Sequence, residues 1–182
     1  MNLWLRMFWV LLTARFRGRF QSPLDVSLIA LRVLPNDLDV NFHVNNGRYL
    51  TLMDLGRLDL FIRGGLWRIL RQTGWMPVLS AGSISFRREL KLFQKFRMET
   101  AIVYWTETTF VMRHRCLIVD PRRGETIAAT ALIRGGIYDR KARSFVPVAH
   151  LFDLLGIETL SPPLSEDVRV FLEAADVLRR IK

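Results

Sequence analysis

The sequence has little of what staples or metallates a small fold. Cys116 is its one cysteine, so no disulfide can close within the chain and no thiolate cluster can hold a metal. A chain without disulfides suits a reducing compartment. Cys116 sits in the apolar stretch Arg115-Cys116-Leu117-Ile118-Val119, which favours a packed core thiol over a nucleophile. The three histidines, His43, His114 and His150, lie far apart and show no ligand spacing, so neither a metal nor another cofactor is expected. Zinc-finger spacing, ribonucleoprotein-type aromatic motifs and dense Lys/Arg blocks are all missing, which argues against nucleic acid as a partner. Acidic residues are scarce too: 17 stand against 27 basic ones, giving a net charge of +10, and none falls in residues 1–20. That surplus attracts anions, such as a phosphorylated ligand or an anionic membrane surface, although a generally basic surface would look the same.

A long apolar run is also absent. Leu3–Ala14 reads LWLRMFWVLLTA, interrupted by Arg6 and Thr13. As a helix it would span roughly 18 Å, short of a bilayer core of roughly 30 Å. Arg15, Arg17 and Arg19 follow where a secretory signal would carry small residues at a cleavage site. They favour the cytoplasmic side of a membrane. The expectation is a helix over residues 1–21 lying in the interface of a cytoplasmic membrane face, its arginines on lipid phosphates and Trp4 and Trp9 at headgroup level. The alternatives are a helix packed on the domain or on a partner subunit, and an uncleaved anchor. Ser22-Pro23 separates this piece from the first predicted strand, so its removal is expected to cost the fold little.

Half of the residues are apolar, enough for a sizeable single core. Asp25–Val33 reads as a strand, and Pro35-Asn36-Asp37 as a turn. Tyr49, Leu52, Met53, Gly56 and Leu60 recur at helical spacing, predicting a buried helix over Asn46–Arg63 that Gly64-Gly65 stops. A shorter helix is predicted over Leu66–Gln72. Val78–Glu89, Phe96–Thr106, Phe110–Asp120 and Thr126–Tyr138 are rich in Val, Ile, Phe, Thr and Tyr and read as four strands, with Pro121–Gly124 a tight hairpin. Short helices are predicted at Val148–Leu155 and Glu166–Ile181. This order is an α+β plan in which an antiparallel sheet must cover the one long apolar helix.

The segment Asp37–Tyr49, DLDVNFHVNNGRY, is dense in polar residues for a loop between apolar elements. Asp39, Asn41 and His43 alternate, so an extended or turn backbone could present them on one side. They precede a helix N-terminus, whose first amides lack intrahelical acceptors and can stabilise an oxyanion. A carboxylate, an amide and an imidazole at such a place could support acyl transfer. An elaborate helix cap, with Asn45 or Asn46 capping and Asp39 bracing the turn, explains the same residues.

At these residues the sequence resembles the hotdog-fold acyl thioesterases, whose signature is D-x-D-x-N-x-H-V-N-N-x-x-Y. The likeness is to acyl-acyl-carrier-protein thioesterases, to hydroxybenzoyl-CoA-like thioesterases, and to animal superfamily members that begin with a short hydrophobic segment. It covers roughly residues 23–147. The resemblance implies a hotdog domain over residues 22–160, followed by a C-terminal helix within 161–182. It also implies subunits joined edge to edge in a homodimer or a dimer of dimers, with active sites at the dimer interface. It gives Asp39 the place of the catalytic aspartate, and Asn41 and His43 those of an asparagine and a histidine. Phe86-Arg87-Arg88-Glu89-Leu90 resembles a strand motif ending R-R-E-C, which gives Glu89 a catalytic glutamate's place. Leu90 stands where that motif has cysteine, so no thiol nucleophile acts there. Tyr49 and Asp54 become candidates for substrate contact, Asp54 equally as a partner for Arg57 or Arg87.

The function expected is hydrolysis of an acyl-CoA or acyl-carrier-protein thioester. Asp39 or Glu89 would activate water, or attack directly to form an anhydride. Amides from Val44, Asn45 and Asn46 would hold the carbonyl oxygen. Arg87, Arg88, Lys91, Lys95 and Arg97 could face coenzyme A phosphates or an acidic carrier protein, or simply line a solvated edge. A non-catalytic acyl- or lipid-binding hotdog protein at a membrane is the alternative, and a hydratase or dehydratase on the same fold ranks below it.

Overall fold

The computed structural model of the chain describes residues 3–120 and 124–181. Helix α1 (Leu3–Ala14) is followed by strand β1 (Ser27–Arg32), a single 3-10 turn at Pro35–Asp37, α2 (Asn46–Arg63) and α3 (Leu66–Thr73). Strands β2 (Met76–Phe86), β3 (Lys95–Trp105), β4 (Phe110–Asp120) and β5 (Gly124–Asp139) come next. The two-residue β6 (Ser144–Phe145), α4 (Val148–Leu155) and α5 (Glu166–Arg180) close the chain. The predicted hairpin connection Pro121-Arg122-Arg123 lies outside the described residues; β4 and β5 pair antiparallel up to Asp120 and Gly124 on either side of it.

The strands form one antiparallel, curled sheet in the order β1-β3-β4-β5-β2, with β6 added to β5. One face packs on α2. Leu52, Met53 and Leu55 of α2 meet Ile29, Met98, Cys116 and Ala129 from four strands, all buried. The helix sits close to β3 because Gly56 has no side chain. A Cβ there would lie 2.1 Å from Thr100 Oγ1. Adjacent strand residues point to opposite faces. Met112 and Ile133 join the α2 side, while Val111 and Leu132 meet Val168 and Phe171 of α5 on the other. The sheet thus wraps α2, as the resemblance implied, and carries α5 on its other face.

The N-terminal helix is part of this body. Arg6, Val10 and Ala14 are buried on its inner face, and Val10 joins the core under α2. Arg6 forms an ion pair with Asp37 at 2.6 Å and donates to the Arg32 carbonyl at 3.0 Å. Arg17 pairs with the fully buried Asp59 at 2.8 Å. The expectation that these arginines reach lipid phosphates is therefore corrected for Arg6 and Arg17. Two buried carboxylates, each costly to leave unpaired, draw them inward. Among the described residues no helix is long and apolar enough to cross a membrane.

Candidate active site

The loop ahead of α2 is a tight hairpin fixed by its own backbone. Leu38 pairs with Val44, the Asp39 N–H donates to the His43 carbonyl at 3.0 Å, and the Phe42 N–H donates to the Asp39 carbonyl at 3.1 Å. Closing so short a loop forces Phe42 to φ 60°, a left-handed conformation that bulky side chains rarely adopt. Such strain persists only where the surroundings impose it, and it gathers at functional sites.

Asp37 anchors the loop from below. Burial would raise its carboxyl, but bonds from Arg6, Arg48 and the Leu34 N–H outweigh that and hold it below the usual carboxylate range. Arg48 Nε lies 2.8 Å from Oδ1, and the Leu34 N–H 2.8 Å from Oδ2. The Asp37 carbonyl accepts from the Asn45 N–H at 2.9 Å. With its side chain out of solvent and its oxygens occupied, Asp37 is the structural member of the Asp-x-Asp pair.

Asp39 remains accessible. Its Oδ1 accepts from the Asn41 N–H at 2.9 Å, and its Oδ2 lies 3.5 Å from His43 Nδ1. The loop thus brings Asp39 and His43 together. Asn41 stands exposed at the tip and supplies its backbone N–H; its side chain meets no partner among the described residues. Glu89 arrives from a neighbouring segment that runs along the loop. His43 pairs with Lys91, and the Val44 N–H donates to the Leu90 carbonyl at 3.0 Å. The Glu89 carboxylate is exposed and 3.1 Å from Lys91 Nζ. Asp39 therefore braces its turn, as the capping reading expected, and still presents a carboxylate to solvent.

The helix end narrows the oxyanion expectation. The Val44 N–H is committed to Leu90 and the Asn45 N–H to Asp37, so neither can hold a carbonyl oxygen. The Asn45 side chain caps α2 by accepting from the Gly47 N–H at 2.9 Å. Among the described residues the Asn46 N–H meets no acceptor, and it carries the positive end of the α2 dipole.

Tyr49 is a core residue: its ring packs edge-on against Phe86 at 5.1 Å. Burial, and secondarily the Cys116 thiol, push its hydroxyl up to about 12. Its expected contact with substrate is corrected accordingly. Asp54 forms an ion pair with Arg57, one of the two partners anticipated for it, and its carboxylate stays half-exposed. Of the basic residues, Arg97 is held by Glu99 and Glu125, and Lys91 faces Glu89. Arg87 and Arg88 are exposed where β2 ends, both amides donating to the Ala128 carbonyl.

Sequence reasoning did not find the buried polar chain between α2 and the sheet. Arg57 is buried and lies 3.2 Å from His114 Nε2, while His114 Nδ1 is 2.9 Å from Thr100 Oγ1. A guanidinium can only donate, so Nε2 accepts, and Nδ1 carries the proton and donates to Thr100. Desolvation, then the Arg57 charge, push His114 down to about 3, so it stays neutral. His114 stands between Arg113 and Arg115, and only strand alternation with Met112 and Cys116 marks it as an inward residue; its partners Arg57 and Thr100 are distant in sequence.

The chain belongs to the thioesterase-like superfamily, whose family model matches residues 33–172. It is similar to Protein THEM6 of Xenopus laevis, at 34% identity over 106 residues, which is 58% of this chain and 51% of that protein. The chain thus matches about half the length of that relative. Among solved structures it is similar to YbaW, a probable thioesterase from Escherichia coli, with TM-score 0.64 and 21% identity over 71% of this chain and 96% of that one. The 4-hydroxybenzoyl CoA thioesterase from Pseudomonas sp. strain CBS-3 superposes with TM-score 0.62 at 21% identity, covering 71% and 98%. The last two likenesses concern the fold, which is the hotdog arrangement.

Proposed function

We propose that this chain hydrolyses acyl thioesters, with coenzyme A or an acyl carrier protein as the thiol, and that Asp39 supplies the reacting carboxylate. The observation that carries this reading is the placement of Asp39. It is accessible, held beside His43, and set one short turn ahead of a helix whose Asn46 N–H meets no acceptor among the described residues. Asp39 takes a proton from water as the water oxygen adds to the thioester carbonyl. The oxygen that gains charge is held by the Asn46 amide and the helix dipole. The C–S bond then breaks, and the proton passes to the leaving thiolate. His43, with Nδ1 toward Asp39, orients the carboxylate. Direct attack by Asp39, giving an acyl anhydride that water then opens, uses the same atoms.

Two features bear on the substrate. Val40 and Phe42, in the same loop as Asp39, are 90% and 78% exposed, apolar surface suited to an acyl group or to cover by a second copy of the chain. Arg87 and Arg88 give a cationic edge on the neighbouring segment for phosphates or an acidic carrier. Edge strand β2 is open for pairing, consistent with a homodimer. The test is release of free thiol, followed with a thiol-reactive dye, from short- to long-chain acyl-CoAs and acyl carrier proteins. Turnover above the blank is expected on at least one class. A folded protein inactive on all of them would support acyl binding without hydrolysis.

A further inference from the structure

The outer face of α1 reverses the usual polarity of a surface helix. A helix packed on a soluble domain turns apolar residues inward and polar ones to water. Here the one charged side chain, Arg6, points inward and is buried. Thr13, the one hydroxyl residue, is tied to the Trp9 carbonyl at 2.8 Å and to Arg17 at 3.2 Å. The side facing water consists of Trp4, Leu5, Phe8, Trp9, Leu11 and Leu12, with Trp4 70% and Phe8 65% exposed. At 100° per residue these six fall on one continuous half of the helix, with no polar side chain among them. Phe16 comes next, also exposed, with the Arg15 guanidinium 4.6 Å from its ring centre. A contiguous apolar surface of this kind marks a membrane or partner site.

Charge selects the occupant. Arg6 and Arg17 are spent on Asp37 and Asp59, whereas Arg15 and Arg19 are exposed and lack a carboxylate partner among the described residues. No acidic residue occurs before Asp25, and the whole chain carries +10. We infer that α1 is a monolayer-seating helix: its outer face enters the headgroup region of an anionic bilayer while its inner face stays locked to the domain. Trp4 and Trp9 lie at the depth that indole rings favour, and Arg15 and Arg19 meet lipid phosphates. This face is separate from the Asp39 site, and its occupancy does not depend on the reaction proposed there.

The experiment is co-sedimentation of the full chain with phosphatidylcholine vesicles, with and without phosphatidylserine, at low and high salt. The wild type should bind phosphatidylserine vesicles and lose much of that binding at high salt. Arg15→Glu with Arg19→Glu should weaken binding at least about tenfold, since each basic residue near an anionic surface contributes about fivefold. Trp4→Ser with Phe8→Ser should weaken it on both vesicle types, and both double variants should melt within a few degrees of wild type. Wild-type protein that stays in the supernatant with both vesicle types would overturn the inference. So would a Trp4→Ser/Phe8→Ser variant that binds like wild type. Sedimentation velocity showing an outer-face-dependent dimer without vesicle binding would assign the face to a second copy of the chain instead, and overturn the lipid assignment.

Discussion

Replacing Arg6 by alanine should destabilise the chain by about 3 kcal/mol, although the residue lies far in sequence from everything it holds. Arg6 and Asp37 are both out of solvent, and the guanidinium makes contacts at 2.6 and 3.2 Å to the carboxylate and at 3.0 Å to the Arg32 carbonyl. Breaking a buried pair from one side costs about 3–5 kcal/mol, because the remaining charge is stranded. The lower end applies here, since Arg48 and the Leu34 N–H stay bonded to Asp37. For a chain of this size that loss lowers the melting temperature by roughly 6–12 °C. Arg6→Lys, which keeps the charge but not the two-pronged fork, should fall between. The effect depends on pH with a definite sign. The folded Asp37 carboxyl titrates below its ordinary 3.8, so the stability it contributes is present above that value and is lost as the pH falls through the depressed one. The gap between wild type and Arg6→Ala, measured by urea unfolding, should be full at pH 7 and should close in strong acid. Equal stabilities at pH 7, or a gap that stays constant into acid, would refute the reasoning. The same contacts count against the expectation that residues 1–20 can be removed at little cost, because the truncation takes Arg6 from Asp37 and Arg17 from Asp59, and Val10 from the core.

Gly56→Ala should destabilise by about 1–3 kcal/mol or more in thermal unfolding, because its Cβ would meet Thr100 Oγ1 at 2.1 Å and that hydroxyl is bound to His114. Unchanged stability would mean that α2 can lift off β3 freely. Cys116 is fully buried 3.8 Å from Met98 Sδ, and burial pushes its thiol up to about 12, so Cys116→Ser should lose about 1–3 kcal/mol of stability while any turnover stays within a few-fold. Loss of turnover in a folded variant would make the thiol a reactant. His114 is pushed down to about 3 by burial and then by Arg57, whereas in the unfolded chain it titrates near 6.5. Its contribution to stability is therefore full above pH 6.5 and declines as the pH falls toward 3, so His114→Gln should show a shallower acid loss in urea titrations than wild type.

Local pattern and long-range pairing account for different parts of the result. The bounds of α2 were legible because Asn45 caps one end, Gly64-Gly65 stops the other, and the apolar spacing between them is helical. β4 and α4 also fall where their patterns end. β2 begins earlier than its pattern suggested, since Pro77 disguises a strand that tolerates proline at a sheet edge. It ends earlier too, because Arg87 and Arg88 share one carbonyl partner. β6, at two residues, is too short to show any period. At the candidate site, the motif singled out the loop, but the contacts each of its residues makes depend on partners distant in sequence. Which helix amide is free depends on Leu90 and on the Asp37 carbonyl. Tyr49 carried its own signal: it shares the helical spacing of Leu52, Met53 and Gly56, and that placed it on the core face. Arg6 pairs with a residue 31 positions away, which no local pattern can reveal.

The central claim is that Asp39 is the reacting carboxylate, with Glu89 beside it as an exposed partner of Lys91. Asp39→Asn and Glu89→Gln, assayed side by side for thiol release on the best acyl thioester and checked by melting, test it most directly. Asp39→Asn should slow kcat by about 100-fold or more with the fold intact, and Glu89→Gln should cost much less. Near-wild-type turnover in Asp39→Asn, with collapse in Glu89→Gln, would contradict the account and move the chemistry to the neighbouring segment.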